Sequence, residues 1–224
     1  MPVPSELNSF ASGFVLAGGQ STRMGTDKAL VQFRGRPLIA HAIAILVDAG
    51  LPVAIAGVPG PEATQAGSYT PVIADSEPGL GPLSGVCSAL ASTTAEFGVF
   101  VPVDLPLLPS SLLGYLVRHA CVMDAAVTLA SVNGQPQTFP AILSRRALPA
   151  LENELRSRRL GCLKAFVAAA RNLGESVSPL PAEVLVQSGQ VSHCDAQPVA
   201  RWFLNFNTPQ DVELALSLRA AQLG

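Results

Sequence analysis

Val15-Leu16-Ala17-Gly18-Gly19-Gln20-Ser21-Thr22-Arg23-Met24-Gly25-Thr26-Asp27-Lys28-Ala29-Leu30 is the stretch from which the fold of this chain is read. The apolar run from Gly13 to Ala17 reads as a buried strand. It leads directly into Gly18 and Gly19, so the backbone can turn sharply and present several N–H groups with no Cβ in the way. Arg23 and Lys28 bring two cations to the same loop. A strand that delivers a glycine turn and two cations suits a polyphosphate. A Walker loop needs four residues between its outer glycines and then Gly-Lys-Ser/Thr, whereas five residues separate Gly19 from Gly25 and Thr26 follows. The dinucleotide fingerprint fails as well, because glycines at 18, 19 and 25 do not fit Gly-x-Gly-x-x-Gly. A phosphate loop of a third type remains, beside the plainer alternative of a strand-to-helix turn with steric glycines and solvated cations.

Working outward, Leu38, Ile39, Ala42, Ile45 and Leu46 recur at helical spacing between Pro37 and Ala49, with Pro37 at a tolerated first-turn position. Leu51 to Ala56 follows as a continuous apolar run, the pattern of a parallel strand buried on both faces. Strand, helix and strand make one βαβ unit. Gly57 to Tyr69 reads as loop, and Pro71 to Ala74 as a minimal strand ending at Asp75. A second glycine loop, Glu77 to Gly85, opens a helix near Pro82.

Phe97 to Val103 is the most apolar strand in the chain and ends in Asp104, with a helix expected from about Ser110 to His119. A carboxylate at the carboxyl end of a central parallel strand stands at the rim of the crevice where open α/β sheets bind ligands. The alternative is that Asp104 only caps the next turn. Two further strands, over 124–130 and 138–143, are joined by the turn Asn133-Gly134-Gln135-Pro136. Helices follow from Ser144, carrying Ala147, Leu148, Leu151 and Leu155 inward, and from Gly161 to Leu173. The basic trio Arg156, Arg158 and Arg159 is either a solvated helix end or a site for an anionic phosphate. Residues 174–200 are less regular. Arg201 to Asn207 reads as a short strand, followed by a helix with Thr208 as N-cap, Pro209 at its first position and Asp211 completing a weak capping pattern.

The alternation of strands and helices predicts a three-layer α/β fold with a mostly parallel sheet, containing strands near 13–17, 53–56, 71–74, 98–103 and 125–130. The 224 residues suit a single domain, 1–224, with residues 1–10 as a loose tail. With 49% hydrophobic and only 13% charged residues, disorder is excluded. A formal net charge of −2, with the Lys and Arg residues scattered, excludes a nucleic-acid footprint. The apolar stretches are too short to cross a bilayer and the first residues carry no targeting signal, so the expected location is the cytoplasm. Cys87, Cys121, Cys162 and Cys194 stand at least 32 residues apart and read as reduced, mostly buried thiols.

Leu16-Ala17-Gly18-Gly19 with Ser21, Arg23-Met24-Gly25, Asp27-Lys28 and Gly35-Arg36-Pro37-Leu38 resembles the signature of nucleotidyltransferases of the molybdenum cofactor guanylyltransferase type. That resemblance implies a Rossmann-like domain of the nucleotide-diphospho-sugar transferase type. It implies Mg2+-dependent transfer of GMP from GTP to the phosphate of molybdopterin with release of pyrophosphate. Gly81-Pro82-Leu83-Ser84-Gly85 is similar to the family's second motif, which approaches the base; the lesser alternative is a helix entry that happens to be glycine-rich. Asp104 resembles the metal-binding aspartate; relatives often have Cys before it where this chain has Val103. Asn205-Phe206-Asn207-Thr208-Pro209 resembles the C-terminal motif.

Carried over residue by residue, the resemblance implies catalytic roles for Arg23, Lys28 and Asp104. Nucleotide contacts fall to Leu16, Ala17, Gly18, Gly19, Lys28, Asp75, Gly81, Pro82, Gly85 and Asp104. Metal binding falls to Asp104 with Asn207, and acceptor contacts to Gln137, Pro140 and Asn205, with the two asparagines interchangeable at this stage. Asp27 either orients Arg23 or Lys28 through an ion pair or caps the loop. No protein nucleophile is needed, because a phosphate acceptor is already ionised, and His41, His119 and His193 read as structural. GTP and molybdopterin are the expected small-molecule partners, with no nucleic acid and no membrane; contacts with cofactor-synthesis or acceptor proteins stay open. The competing readings are a cytidylyl or sugar-phosphate nucleotidyltransferase of the same fold, and a non-catalytic nucleotide-binding accessory domain.

Overall fold

The computed structural model describes residues 10–17, 27–57, 70–77, 79–157, 161–208, 210–213 and 215. The chain opens with β1 (Ala11–Leu16), and a short hairpin of β2 (Gln32–Phe33) and β3 (Arg36–Pro37) follows a 3-10 turn at Lys28–Leu30. Then come α1 (Leu38–Asp48), β4 (Val53–Ala56), β5 (Val72–Ile73), α2 (Pro82–Ser92), β6 (Phe97–Pro102) and α3 (Ser110–Met123). The second half contains β7 (Val127–Val132), β8 (Gln135–Ser144), α4 (Leu148–Ser157), α5 (Cys162–Asn172), β9 (Leu180–Pro181), α6 (Ala182–Gln187) and α7 (Val199–Trp202).

Seven strands form one sheet in the order β5-β4-β1-β6-β8-β7-β9. Only β8 runs against the others, pairing antiparallel with both β6 and β7. Successive side chains on a strand point to opposite faces, and β1 and β6 show why three layers result. Val15, Val99 and Val101 face a core shared with Leu38, Ile39 and Leu46 of α1 and Leu112, Leu116 and Val117 of α3. Phe14, Leu16 and Phe100 face a second core with Val86 and Leu90 of α2, Leu151 of α4 and Phe166 of α5. Both faces of the central strands are therefore dry, and their continuous apolar runs follow from that.

The strand order reverses at β1. From β1 the chain builds outward through β4 to β5, then returns to place β6 on the other side of β1, with Leu16 opposite both Ala56 and Pro102. That is a topological switch point, and the crevice outside the carboxyl ends of β1 and β6 is the place such a sheet offers to a ligand.

Three local expectations change. The hairpin strands are longer than 124–130 and 138–143 suggest at the turn, because Asn133 (φ 50°) and Gly134 (φ 72°) alone make it. Two residues with positive φ match the twist of an antiparallel pair, so Gln135 and Pro136 join the ladder opposite Val132 and Ser131. Helix α3 runs on past His119 to Met123 and stops where Asp124 turns left-handed and its N–H returns to the Ala120 carbonyl. Finally, the expected strand at Arg201 is absent. Val199–Trp202 forms one helical turn, fixed by the buried Trp202 indole N–H donating to the Gln197 carbonyl at 2.8 Å. Within the irregular stretch 174–200, β9 adds to the sheet edge beside β7 and α6 buries Ala182 and Leu185.

Candidate active site

The carboxyl end of β1 is held on both sides: Ala17 N–H donates to the Ala56 carbonyl at 3.1 Å, and Val103 N–H donates to the Leu16 carbonyl at 3.3 Å. Asp104 is the next residue, so it leaves the sheet at the switch point beside the carboxyl end of β1. Residues 18–26, which include Gly18, Gly19 and Arg23, lie outside the described residues. The chain is described again at Asp27, whose Oδ1 accepts from Ala29 N–H at 3.0 Å and caps the 3-10 turn that carries Lys28. The capping role expected of Asp27 is thus filled.

Lys28 Nζ lies 2.6 Å from Asp104 Oδ2 and 2.5 Å from Asn207 Oδ1. The Lys28 and Asp104 side chains are 19% and 18% exposed, so the pair sits in a partly desolvated recess rather than on open surface. The other Asp104 oxygen, Oδ1, is buried and has no hydrogen-bond partner among the described residues. A buried carboxylate oxygen left unsatisfied is costly, which makes it an acceptor that a donor or a cation would stabilise.

Asn207 arrives from the far end of the chain on a strap. Phe206 N–H donates to the Asp104 carbonyl at 3.0 Å, and the fully buried Phe206 ring packs edge-on against Phe33 at 4.9 Å. Asp211 Oδ2 accepts from the N–H groups of both Asn207 (2.8 Å) and Thr208 (2.7 Å), while Thr208 Oγ1 accepts from Asp211 N–H at 3.2 Å. The Thr208 hydroxyl and these amides hold the Asp211 carboxyl below its usual range. Its part in holding Asn207 was not read from the sequence, although the Thr-x-x-Asp spacing carried the signal. Asn205 is exposed on the same strap.

A second group gathers around Asp75, just past β5. A Cβ on Gly85, in the second turn of α2, would stand 3.2 Å from Asp75 Oδ1 and 3.7 Å from the Leu16 side chain. Leu16, Asp75 and Gly85 therefore meet at the same edge of the sheet, with Gly81 (φ 78°) turning the chain into Pro82. Asp75 Oδ1 is likewise buried without a partner among the described residues, and burial pushes this carboxyl above its ordinary value.

Beyond Phe100 and Ala141 the pairing of β6 with β8 stops, whereas Val101 and Pro102 continue alongside β1. The two strands part at their rim, and Gln137 to Pro140 borders the opening. The Gln137 amide N–H donates to the Gln135 carbonyl at 3.1 Å, and Pro140 is buried. Arg156 pairs with Glu152 at 3.3 Å on its own helix; Arg158 and Arg159 lie outside the described residues.

The histidines do structural work where their partners are described. His41 Nε2 bonds the Phe33 carbonyl at 2.7 Å, and His193 bonds the Leu107 carbonyl through Nε2 (3.0 Å) and Asp195 N–H through Nδ1 (3.0 Å). The ligating atoms of His193, Cys194 and Asp195 lie within 4.8 Å of one another. Both ring nitrogens of His193 are occupied, however, and Asp195 pairs with Arg34 at 2.6 Å, so the trio braces the β2–β3 hairpin. Among the described residues no helix is long and apolar enough to cross a membrane.

Residues 13–174 match the family model of the MobA-like NTP transferase domain. The chain belongs to that family. A molybdenum cofactor guanylyltransferase of Xanthomonas euvesicatoria pv. vesicatoria (strain 85-10) is 39% identical over 165 residues, covering 66% of this chain and 82% of that one. Another, from Shewanella loihica (strain ATCC BAA-1088 / PV-4), is 31% identical over 202 residues, covering 88% and 90%. The crystal structure of molybdopterin-guanine dinucleotide biosynthesis protein A from Archaeoglobus fulgidus shares the fold with a TM-score of 0.73 at 20% identity, over 94% of this chain and 99% of that one. In this MobA-like domain the matched segment runs from β1 through α5, and the strap that delivers Asn207 lies beyond it.

Proposed function

We propose that this enzyme transfers the GMP unit of GTP to the phosphate of molybdopterin and releases pyrophosphate, with Mg2+ as the metal. One observation carries the reading: Lys28, Asp104 and Asn207 converge at the switch point of the sheet, with Asp104 Oδ1 buried and without a partner among the described residues. A carboxylate and an amide oxygen form the hard donor set that Mg2+ accepts, and Mg2+ fills its remaining positions with water and phosphate oxygens. Bound by Asp104 and Asn207, it would polarise the α-phosphoryl group.

The chain's own residues supply the remaining needs. Lys28 neutralises triphosphate charge, and the Gly18 and Gly19 amides, which lie outside the described residues, are assigned to the phosphates from the sequence. Asp75, beside Leu16 and Gly85, presents an unsatisfied oxygen to N–H or O–H donors of the nucleoside. Gln137, on β8 where it parts from β6, and Asn205, exposed on the strap, are assigned to the acceptor. The acceptor phosphate is ionised at neutral pH, so alignment and charge stabilisation suffice and no general base is required.

The test is pyrophosphate release from GTP in the presence of molybdopterin and Mg2+, with CTP, ATP and UTP as competitors. GTP-selective release supports the reading, and selective use of CTP would replace GTP in it. Asp104→Asn should lower turnover by about a hundredfold or more. Wild-type turnover by that variant at limiting Mg2+ would remove Asp104 from the chemistry.

A further inference from the structure

Resting on that reading of the metal site, we infer that Lys28 occupies the metal's ligands until a triphosphate draws it away, so that the metal enters as a metal–triphosphate complex and not as a free ion. Lys28 Nζ is within 2.6 Å of one Asp104 oxygen and 2.5 Å of the Asn207 oxygen, the two groups assigned to the metal. An ammonium that close to both leaves no room for a second cation on the same two atoms. Asp104 Oδ1 remains, but one buried carboxylate oxygen is a poor site by itself for a strongly hydrated dication.

Charge gives the same order of events. With Lys28 in place, Asp104 is already neutralised. A free dication would have to displace the ammonium and would leave two cations facing one carboxylate in a recess where solvent screening is reduced. A triphosphate reverses the balance. Its anionic oxygens accept the Lys28 ammonium as the metal it chelates takes over Asp104 and Asn207, so each cation exchanges one set of oxygens for another. No unpaired charge is created on either side.

The exchange also holds the site in shape between turnovers. Asn207 comes from a strap far along the chain, fastened by Phe206 to the Asp104 carbonyl and by Asp211 to the Asn207 N–H. Lys28 supplies the contact between the side chains themselves, so Asp104 and Asn207 stay gathered around one cation without a metal. Lys28 thus serves two successive partners with one charge: the metal's ligands first, the phosphates second.

This role predicts effects of opposite sign. Lys28→Met should bind Mn2+ in the absence of nucleotide at least tenfold more tightly than the wild type, and should bind Mn2+–GTP at least tenfold more weakly. Mn2+ binding is measured from the free-ion paramagnetic resonance signal, GTP binding by calorimetry, and folding by circular dichroism. Lys28→Gln serves as the second variant if Lys28→Met does not fold. Equal nucleotide-free Mn2+ affinity in the wild type and both variants overturns the inference. Asp104→Asn separates it from the reading beneath it. If the tight Mn2+ binding gained by Lys28→Met is lost in Lys28→Met/Asp104→Asn, the metal site stands and the competition with it. If Asp104→Asn binds Mn2+–GTP as well as the wild type does, the metal assignment itself fails.

Discussion

The N–H of Phe206 donates to the carbonyl of Asp104 at 3.0 Å, fastening the C-terminal strap just beyond the end of the central strand β6. Because Phe206 is buried against Phe33, the bond is held in a fixed place, and the next residue, Asn207, is delivered to Lys28. What keeps that delivery in register is Asp211, which accepts two strap N–H groups at 2.8 and 2.7 Å.

Asp211→Ala should therefore lower kcat about tenfold, as expected for a misplaced positioning group, and raise the Mg2+ concentration needed for half-maximal activity. Loss of the cap itself costs about 1 kcal/mol, a fall of about 2–4 °C in Tm at this chain length. The folded-state value of the Asp211 carboxyl is depressed, so its stabilisation is present above the ordinary carboxylate range and is lost as pH falls through the lowered value. A Tm loss without a change in metal dependence would show that the carboxylate only caps.

Gly98 should not tolerate a methyl group. In β6 its Cβ would fall 2.8 Å from the Phe100 ring and 2.9 Å from Leu90, two fully buried side chains, and Phe100 is already stacked on Phe14 at 5.3 Å. Gly98→Ala should cost about 1–3 kcal/mol through overpacking, read as a fall of about 2–4 °C in Tm for each kcal/mol. Since Gly98 packs into the core behind the rim, kcat at 25 °C should stay near wild type.

The central sheet was legible because β1, β4 and β6 are buried on both faces and read as unbroken apolar runs. The position of Asp104 at the rim was legible from its place after the most apolar of them. Long-range pairings are another matter. Lys28 and Asn207 are 179 positions apart, and Arg34 and Asp195 are 161 apart, and no local spacing encodes which loops the fold brings together. The sequence places Pro136 in the turn, whereas it joins the ladder opposite Ser131, because a proline can pair where its missing N–H is not needed. Trp202 differs in the opposite direction: its apolar run reads as strand, while a buried indole bond fixes a helical turn.

Thiol labelling should divide the four free cysteines by environment. Cys87 faces a cavity of about 450 Å3 whose walls include Glu77 and Glu152. Burial and those carboxylates push its thiol up to about 12, and burial pushes Cys162 up to about 11. Thiolate is the reactive form, so iodoacetamide at pH 8 should modify exposed Cys194 first. Cys87 and Cys162 should label only on unfolding, a difference readable by peptide mass spectrometry with and without denaturant. Early labelling of Cys87 would contradict its environment.

On the proposed reading, Asp75 should couple stability to nucleotide binding. Its Oδ1 is buried beside Gly85 without a partner among the described residues, and burial raises the carboxyl value, so the folded state favours the protonated form. As pH rises from the ordinary carboxylate value through the raised one, the unfolded chain gives up its proton first and the wild type loses stability. Asp75→Asn carries no charge and should escape that loss. Its Tm advantage over the wild type should grow with pH across this window and level off above it. A nucleotide donor reaching Oδ1 would reverse the ranking, since a hydrogen bond to a charged acceptor contributes about 1.5–3 kcal/mol. With saturating GTP and Mg2+ the wild type should gain more Tm than Asp75→Asn, and the variant should bind GTP about tenfold more weakly or worse. The measurement is Tm from pH 4 to 8 for both proteins, with and without nucleotide. A constant difference at every pH would mean that the buried oxygen is satisfied in solution and that Asp75 is not the group that reads the nucleoside.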